Sequence, residues 1–482
     1  MSDTVAARPR ALSAHLTART LVRTLAVIAA ALPTLAAADN DQIIQLQEQV
    51  KTLSAKVDQL TAGKVTPTDV DTVRDDLQVF KDQYAQDREK RSPISARGIT
   101  ISGIIQGRWA GTTVETASGN TNNSFDIPLA QIGLSGNLYR DYKEGRNLQF
   151  NLSLSSVRAA SLINYYSLPA SGVGSTAGAN TNVSLSNAWV RYNVLPTVDA
   201  GENQLRVTLG QQQVPFGVEA AAPEEVKPTI RGAQGITYLG LTTRQIGLIV
   251  EGDLWPAVDY AYDYRAPAVS YAFGILNGTG QNAGDDNAHK DLFGRIAFAA
   301  PVEYYSIFRG LSAGASYYHG KSNQTVGPTA LYAGTGDTNR YGVDVTWAHN
   351  PYSLTYEAVV GVTDTVTGGT TPANATYSTI RAVGHTATFG YLFGEQFVSS
   401  SKSQGKWDDA WPLSYQPYVR YDLLDKNTDE TVVDDRTSII SLGLNVFFAQ
   451  TTKFQIQASR VKAETAGGAL YSELVTQFQY GF

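Results

Sequence analysis

Hydrophobic and polar residues alternate with a period of two along most of the chain after residue 98, and the C-terminal segment shows the pattern most clearly. One face of that segment carries Leu474, Thr476, Phe478, Tyr480 and Phe482, and the other carries Glu473, Val475, Gln477, Gln479 and Gly481. Period two predicts a β-strand. Because the aromatic face continues to the last residue, we expect it to meet lipid, with the aromatic rings at the membrane interface. A half-buried edge strand of a soluble sandwich is the alternative.

About fourteen segments between residues 98 and 482 alternate in this way, and the gaps leave room for two more. In the clearest case, Leu148, Phe150, Leu152 and Leu154 alternate with Gln149, Asn151, Ser153 and Ser155. No composition break interrupts this region, and strands in a membrane cannot leave an open edge. The pattern therefore predicts an all-β domain, a closed antiparallel transmembrane β-barrel of about sixteen strands over residues 93–482.

Polar stretches rich in Gly, Asn, Thr and Asp separate the predicted strands. The long ones, which we expect to be loops, are Thr112–Ser124, Ser167–Asn182, Asn277–Asp291, Gly320–Asp337 and Thr363–Thr376. Tyr139–Arg146 and Gln450–Lys453 are short and predict tight turns. Long loops at one end and short turns at the other are typical of a membrane barrel.

The first 38 residues have the features of a cleaved secretory signal peptide. Four arginines precede an apolar core at Leu25–Leu32, and Ala36–Ala38 offers a cleavage site. An N-terminal anchor helix is the alternative, although the apolar core is short for that purpose.

Residues 39–92 change to a helical period and predict a coiled coil in the periplasm. The seam of the first helix is formed by Ile43, Leu46, Val50, Leu53, Val57 and Leu60. A second seam begins at Val70, and Ser92-Pro93 ends it. The narrow apolar stripe favours association with other copies of the chain. The choice of seam residues favours a parallel coiled coil of two helices. A single helix that packs on the mouth of its own barrel is the alternative.

Composition excludes several function classes. Hydrophobic residues make up 43% of the chain and charged residues 17%, and the mean hydropathy is −0.19. No apolar run after the leader is long enough for a membrane helix. The five histidines lack metal-ligand spacing, and the chain has neither a cysteine nor a G-x-S-x-G motif. We therefore expect no enzyme activity, no metal, no cofactor and no nucleic-acid partner.

Two motifs resemble those of the phosphate-selective porin O/P family. Leu209–Glu219 is similar to its G-Q-x-x-x-P-F-G-x-E element, and Gly274–Arg295 is similar to its G-x-x-N-G … D-N … K-D-x-x-G-R element. Gly443–Phe447 resembles its late G-L-N strand. The resemblance implies a sixteen-stranded trimeric outer-membrane channel for small anions. Relatives with a periplasmic coiled coil before the barrel are similar to dicarboxylate-type porins.

One departure separates the chain from the phosphate channels of this family, whose second strand carries consecutive basic residues. The corresponding stretch here, Asp126–Leu134, contains no Arg or Lys. The resemblance therefore supports a porin without supporting phosphate specificity. Separately, the strand ending in Phe482 resembles the C-terminal signature strand of bacterial outer-membrane proteins, which the barrel-assembly machinery reads.

Selectivity depends on the charges that face the lumen. If the apolar face of each strand meets lipid, the candidate anion-selective residues on the lumen face are Arg108, Arg191, Arg206, Arg295, Arg340 and Arg420. Four acids share that face: Glu251, Asp344, Glu357 and Asp422. Guanidinium groups stay charged and bind carboxylate or phosphate through a planar fork. Alternatively, the opposite charges pair with each other and stiffen the wall.

The long segment after the first motif, residues 220–241, predicts either a constriction loop inside the barrel, with Lys227 and Arg231 facing the pore, or a surface loop. Two functions follow. The first is passive diffusion of small, anionic solutes, phosphate or small carboxylates, through an arginine-lined lumen of a homotrimer in the outer-membrane lipid. The second is a structural envelope protein whose coiled coil is a periplasmic tether.

Overall fold

The computed structural model describes residues 99–115, 121–141, 145–157, 182–195, 201–259, 264–300, 302, 306–327, 330–394, 414–429, 435–449, 451–464 and 470–482. The predicted signal peptide and the predicted coiled coil lie outside these residues. No helix in the described ranges is long and apolar enough to cross a membrane.

Antiparallel strands form nearly all of the regular structure. In chain order they are β1 (Thr100–Glu115), β2 (Thr121–Asp141), β3 (Gly145–Val157), β4 (Asn182–Asn193), β5 (Leu205–Gln212), β6 (Gln245–Asp259), β7 (Tyr264–Leu276), β8 (Asp291–Ala299), β9 (Leu311–Val326), β10 (Leu331–His349), β11 (Tyr352–Gly368), β12 (Thr376–Tyr391), β13 (Phe393–Gly394), β14 (Ser414–Asp425), β15 (Thr437–Phe447), β16 (Lys453–Ala463) and β17 (Leu470–Gly481). A short helix, α1 (Gln234–Tyr238), lies between β5 and β6, and a 3₁₀ turn (Pro372–Asn374) lies between β11 and β12.

Each strand pairs with its neighbours in the chain, and the first strand pairs with the last. The β1–β17 ladder runs from Ile104↔Gly481 to Thr112↔Glu473. It is continued at the end of the chain, where Gly103 and Phe482 exchange two backbone hydrogen bonds of 2.8 and 3.0 Å. Since β13 has two residues and only extends the pairing of the β12–β14 hairpin, the barrel has sixteen long strands. The predicted closed antiparallel barrel is confirmed.

The barrel is apolar outside and polar inside. On β3, Leu152 is 43% exposed whereas the neighbouring Ser153 is 1% exposed. On β17, Phe478 and Tyr480 are exposed, and Gln477 and Gln479 are buried. A soluble protein would bury the opposite face, so this pattern indicates an outer surface that meets lipid. It argues against the soluble sandwich.

Three of the predicted loops are wrong in extent. β9 continues to Val326 and β10 begins at Leu331, so most of Gly320–Asp337 is a strand hairpin. In the same way, strand residues occupy both ends of Thr112–Ser124 and half of Thr363–Thr376. Beyond the lipid both faces of a strand meet water, so polar Gly- and Thr-rich sequence continues the ladder there. Asn277–Asp291 does separate β7 from β8. The connection between β15 and β16 is short, as predicted, but Lys453 already belongs to β16.

Candidate functional site

The connection between β5 and β6, residues 213–244, folds into the barrel, and we call it the inward loop. Pro215 and Phe216 lie near its start, α1 lies in its second half, and β6 follows it at Gln245. Its backbone and side chains contact inward-facing residues of β9, β11 and β14–β17. A segment that spans the interior in this way reduces the open cross-section of the lumen.

One side of the inward loop rests on the inward faces of β14–β17, which we call the polar seat. Amide side chains of these strands bond to the loop backbone, so that its polar groups are paired inside the barrel. The Gln457 oxygen accepts from the Ile230 N–H at 3.1 Å. Asn445 and Gln455 both donate to the Pro228 carbonyl, at 2.9 and 3.2 Å.

Arg420, on β14, is the centre of a buried charge cluster in the polar seat. Its Nη2 lies 3.0 Å from the Glu219 carboxylate and 3.5 Å from that of Asp422. Its Nη1 donates to the Thr229 hydroxyl at 2.8 Å. Asp422 in turn accepts the Gln234 N–H at 2.9 Å, at the start of α1. The cluster therefore ties both halves of the inward loop to the same strand.

Two further cations join the inward loop to the polar seat. Arg231 forms an ion pair with Glu473 of β17. Lys453 of β16 is 1% exposed and its ammonium donates to the Lys227 carbonyl, with the Phe447 ring 6.0 Å away. A buried ammonium requires such acceptors, because an unbonded one would be costly to desolvate.

The other side of the inward loop rests on an apolar cluster that we call the apolar seat. It joins Val214, Phe216 and Leu241 of the loop to inward-facing residues of β6, β7, β8 and β11, among them Ile249 and Phe293. Phe216 is fully buried, and its ring centroid lies 6.4 Å from that of Phe293. Burying such a side chain contributes about 1.5–3 kcal/mol to the free energy of unfolding.

Five of the six predicted lumen arginines contact a carboxylate. The shortest nitrogen–oxygen distances are 2.5 Å for Arg108–Asp126, 3.5 Å for Arg191–Glu251, 3.0 Å for Arg206–Glu251, 2.6 Å for Arg295–Asp344 and 3.0 Å for Arg420–Glu219. Arg191 also lies 4.4 Å from the centre of the Trp189 ring. A paired arginine contributes little net charge to the lumen.

Arg340, on β10, differs from the other five. Its Nη1 donates to the Thr363 hydroxyl at 2.7 Å and to the Asn339 carbonyl at 3.0 Å, and its Nε lies 3.5 Å from the Leu239 carbonyl. Within the described part of the chain, no carboxylate lies at salt-bridge distance from it. Its guanidinium charge is therefore not neutralised by an acid of the wall.

The two loop cations of the prediction, Lys227 and Arg231, both lie in the inward loop. Lys227 is buried and its ammonium lies 2.5 Å from Glu224, while Arg231 contacts Glu473.

The sequence did not indicate that Glu219, Lys453 and Glu473 hold the inward loop. Glu219 bonds to Arg420, which lies 201 residues away, and to the Ala233 N–H. The polar side of the alternation placed Glu473 toward the lumen, and the same alternation on β16 could have placed Lys453 there, although Lys453 was assigned to a tight turn. Only the folded barrel shows what they contact there.

Comparisons with known proteins agree with this architecture. The profile of the family described as "Phosphate-selective porin O and P" matches residues 109–482. The search of curated proteins gave no match. Among solved structures, the chain is similar to OprB of Pseudomonas putida, with 12% identity and a TM-score of 0.51 over 82% of this chain and 96% of that one.

Two other solved structures match over most of this chain. The outer-membrane channel DcaP of Acinetobacter baumannii has 10% identity and a TM-score of 0.49, over 80% of this chain and 97% of that one. An anion-selective porin from Comamonas acidovorans has 13% identity and a TM-score of 0.46, over 80% of this chain and 99% of that one. The family match covers most of the barrel, and the chain therefore belongs to the phosphate-selective porin O and P family of β-barrel channels in the bacterial outer membrane.

Proposed function

We propose that the protein is a porin for passive diffusion of small anionic solutes, phosphate or small carboxylates, past a constriction made by the inward loop. The observation that carries this proposal is Arg340, a guanidinium on the inward face of β10 next to the loop, with no carboxylate of the described residues paired to it.

The mechanism requires neither a cofactor nor an energy source. An anion that leaves water loses hydration energy, and a fixed guanidinium in a narrow lumen lowers that barrier. The charge of an arginine persists at every physiological pH. The five paired arginines act differently in this proposal, since each contacts an acid, although Arg191 and Arg206 share Glu251, and they mainly hold wall and loop in place. Selectivity then depends more on Arg340 than on an arginine ladder.

The N-terminal residues complete the proposal. Residues 1–38 would be removed as a signal peptide, and residues 39–92 would form a coiled coil in the periplasm that supports a homotrimer. Phe482 would be read by the barrel-assembly machinery. Light scattering of the mature protein in detergent tests the trimer, because a mass of one or two chains would contradict it.

The test of function is single-channel conductance of the full chain in a planar bilayer, with the reversal potential measured under a KCl gradient. We expect a reversal potential on the chloride side, and block by phosphate or carboxylates. Cation selectivity would contradict the proposed preference for anions but not the assignment of the protein as a porin. Absence of conductance from folded, heat-modifiable protein would favour the periplasmic tether.

A matched pair of variants locates the selectivity. Arg340→Gln removes one positive charge from the lumen, and Arg460→Gln removes one from the exposed outer side of β16, where Arg460 bonds to Ser472. We expect the anion preference to fall in Arg340→Gln and to stay unchanged in Arg460→Gln. Equal shifts in both would mean that the general surface charge, rather than the lumen, sets the preference.

A further inference from the structure

A cavity of about 290 Å³ lies between the inward loop and the barrel wall formed by β8–β11. Arg340 and Thr363 line one part of it, together with Thr338. Val214, Phe216 and Leu239 of the inward loop line another part. The cavity therefore combines a cationic, hydroxyl-bearing region with an apolar one.

The guanidinium in this cavity has unused hydrogen-bonding capacity. Nε and Nη1 of Arg340 contact Leu239, Asn339 and Thr363, and no described residue accepts a hydrogen bond from Nη2. A carboxylate from solution would not have to displace a protein carboxylate. By contrast, a ligand at Arg295 would compete with Asp344, which already holds both Nη atoms at 2.6 and 3.0 Å.

The same cavity disfavours a second negative charge. Its other charged lining side chains are Asp291 and Lys321, and Asp291 is a buried acid that accepts hydrogen bonds from the Tyr318 hydroxyl and the Lys321 N–H. The Lys321 ammonium is engaged by Asp337 at 2.6 Å. A dicarboxylate or a phosphate dianion would bring surplus charge toward Asp291 or toward the apolar lining, where charge is costly.

We propose that this cavity binds a monocarboxylate with an apolar body, such as an aromatic acid, with the carboxylate on Arg340 and the ring against Val214, Leu239 and Leu241. Its size suits such a ligand, because a cavity of about 150 Å³ holds benzene. The remaining space accommodates the carboxylate and ordered water. This inference rests on the proposed anion-permeable lumen and narrows its substrate class.

The probe is benzoate, with acetate, phosphate, succinate and benzyl alcohol as comparisons. Binding is measured by calorimetry on the folded full chain in detergent, and block is measured on the single-channel current carried by KCl. We expect benzoate to bind at least about tenfold more tightly than any of the four comparisons, because only benzoate satisfies both the guanidinium and the apolar lining. Tighter binding of phosphate or succinate would overturn the inference.

Three variants test the placement. Arg340→Gln should weaken benzoate binding about tenfold or more, because a charge-assisted contact is lost. Arg206→Gln removes a lumen arginine elsewhere, leaving Glu251 to Arg191, and should leave benzoate affinity unchanged. Val214→Thr, which preserves shape, should weaken benzoate and not acetate. Equal losses of benzoate affinity in Arg340→Gln and Arg206→Gln would overturn the placement. If Arg340→Gln does not fold, Arg340→Lys replaces it as the test variant.

The two readouts separate this inference from the proposed function. Benzoate binding to a barrel that is cation-selective or closed would refute the proposed function and support the proposed binding site in the cavity. Anion conduction without benzoate binding or block would support the proposed function and refute the proposed binding site in the cavity.

Discussion

The two seats of the inward loop hold the same segment by different physical means. In the apolar seat, Phe216 and its neighbours exclude water, and the contact has little directionality. In the polar seat, buried charges and amides bond to individual loop atoms, as Arg420 does to Thr229. Apolar packing tolerates small shifts, whereas a buried charged network that loses one member leaves the others unpaired. The polar seat should therefore determine where the loop lies, and the apolar seat how tightly it is held.

The largest expected effect comes from breaking the polar seat with Arg420→Ala. The change leaves Glu219 and Asp422 without their cation, at a cost of about 3–5 kcal/mol. We expect the loop to detach from β14, the conductance to become larger and noisier, and trypsin to cut after Arg231 in the folded barrel. Fragment mass and single-channel recording measure the two effects.

Arg265→Ala is the control for this prediction. It breaks a partly buried ion pair between β6 and β7, with Arg265–Asp253 contacts of 2.5 and 2.8 Å. It should destabilise the barrel without exposing the Arg231 site. Cleavage after Arg231 in both variants would show that general loosening, and not release from the polar seat, frees the loop.

Breaking the apolar seat with Phe216→Ala should have a comparable cost in stability and a different outcome for the loop. Losing a fully buried Phe costs about 3–5 kcal/mol. Since the polar seat remains, we expect trypsin still to be excluded from Arg231 while the heat-modification temperature falls. Phe298→Ala, on the exposed outer face of β8, is the matched control and should change that temperature less. A freed Arg231 site in Phe216→Ala would contradict the division of roles between the seats.

The effect of a paired lumen charge can be tested at Glu251. Glu251 neutralises part of the charge of Arg191 and Arg206. In Glu251→Gln both guanidiniums lose that acid, and the anion-to-cation permeability ratio should rise about two- to threefold, equivalent to about 0.5 kcal/mol. The reversal potential measures it, with Glu464→Gln at the end of β16 as the control. An unchanged ratio would mean that this cluster lies away from the permeation path.

Sequence periodicity predicted the barrel and its two faces, because side chains of a strand alternate whatever the loops do. It could not predict strand ends, since the polar residues of Gly320–Asp337 suit both a loop and a strand in water. Nor could it choose between an inward and a surface loop. The partners of the loop are far away in the chain: Ile230 bonds to Gln457, 227 residues later. Arg340 was predicted with five other arginines, and only the folded wall shows that it differs from them.

The smallest expected effect concerns the loop between β14 and β15, at the edge of the polar seat. Burial raises the pKa of Asp435, although the N–H groups of Asn427 and Lys426 oppose that shift. An acid whose pKa is raised by folding binds its proton more tightly in the folded state. Its stabilising contribution is therefore greatest at low pH and is lost as pH rises through the ordinary Asp range to the raised pKa.

Asp435→Asn keeps an oxygen that can accept both N–H groups and removes the charge. We expect its heat-modification temperature at pH 7 to exceed that of the wild type by about 1–2 °C, and the difference to vanish at pH 3, where Asp435 is protonated. Temperature scans at one heating rate measure it. Asp429→Asn in the same loop, at an exposed position, is the control and should show no such pH dependence. A lower temperature for Asp435→Asn at pH 7 would mean that the charged acceptor strengthens the two N–H bonds by more than its burial costs.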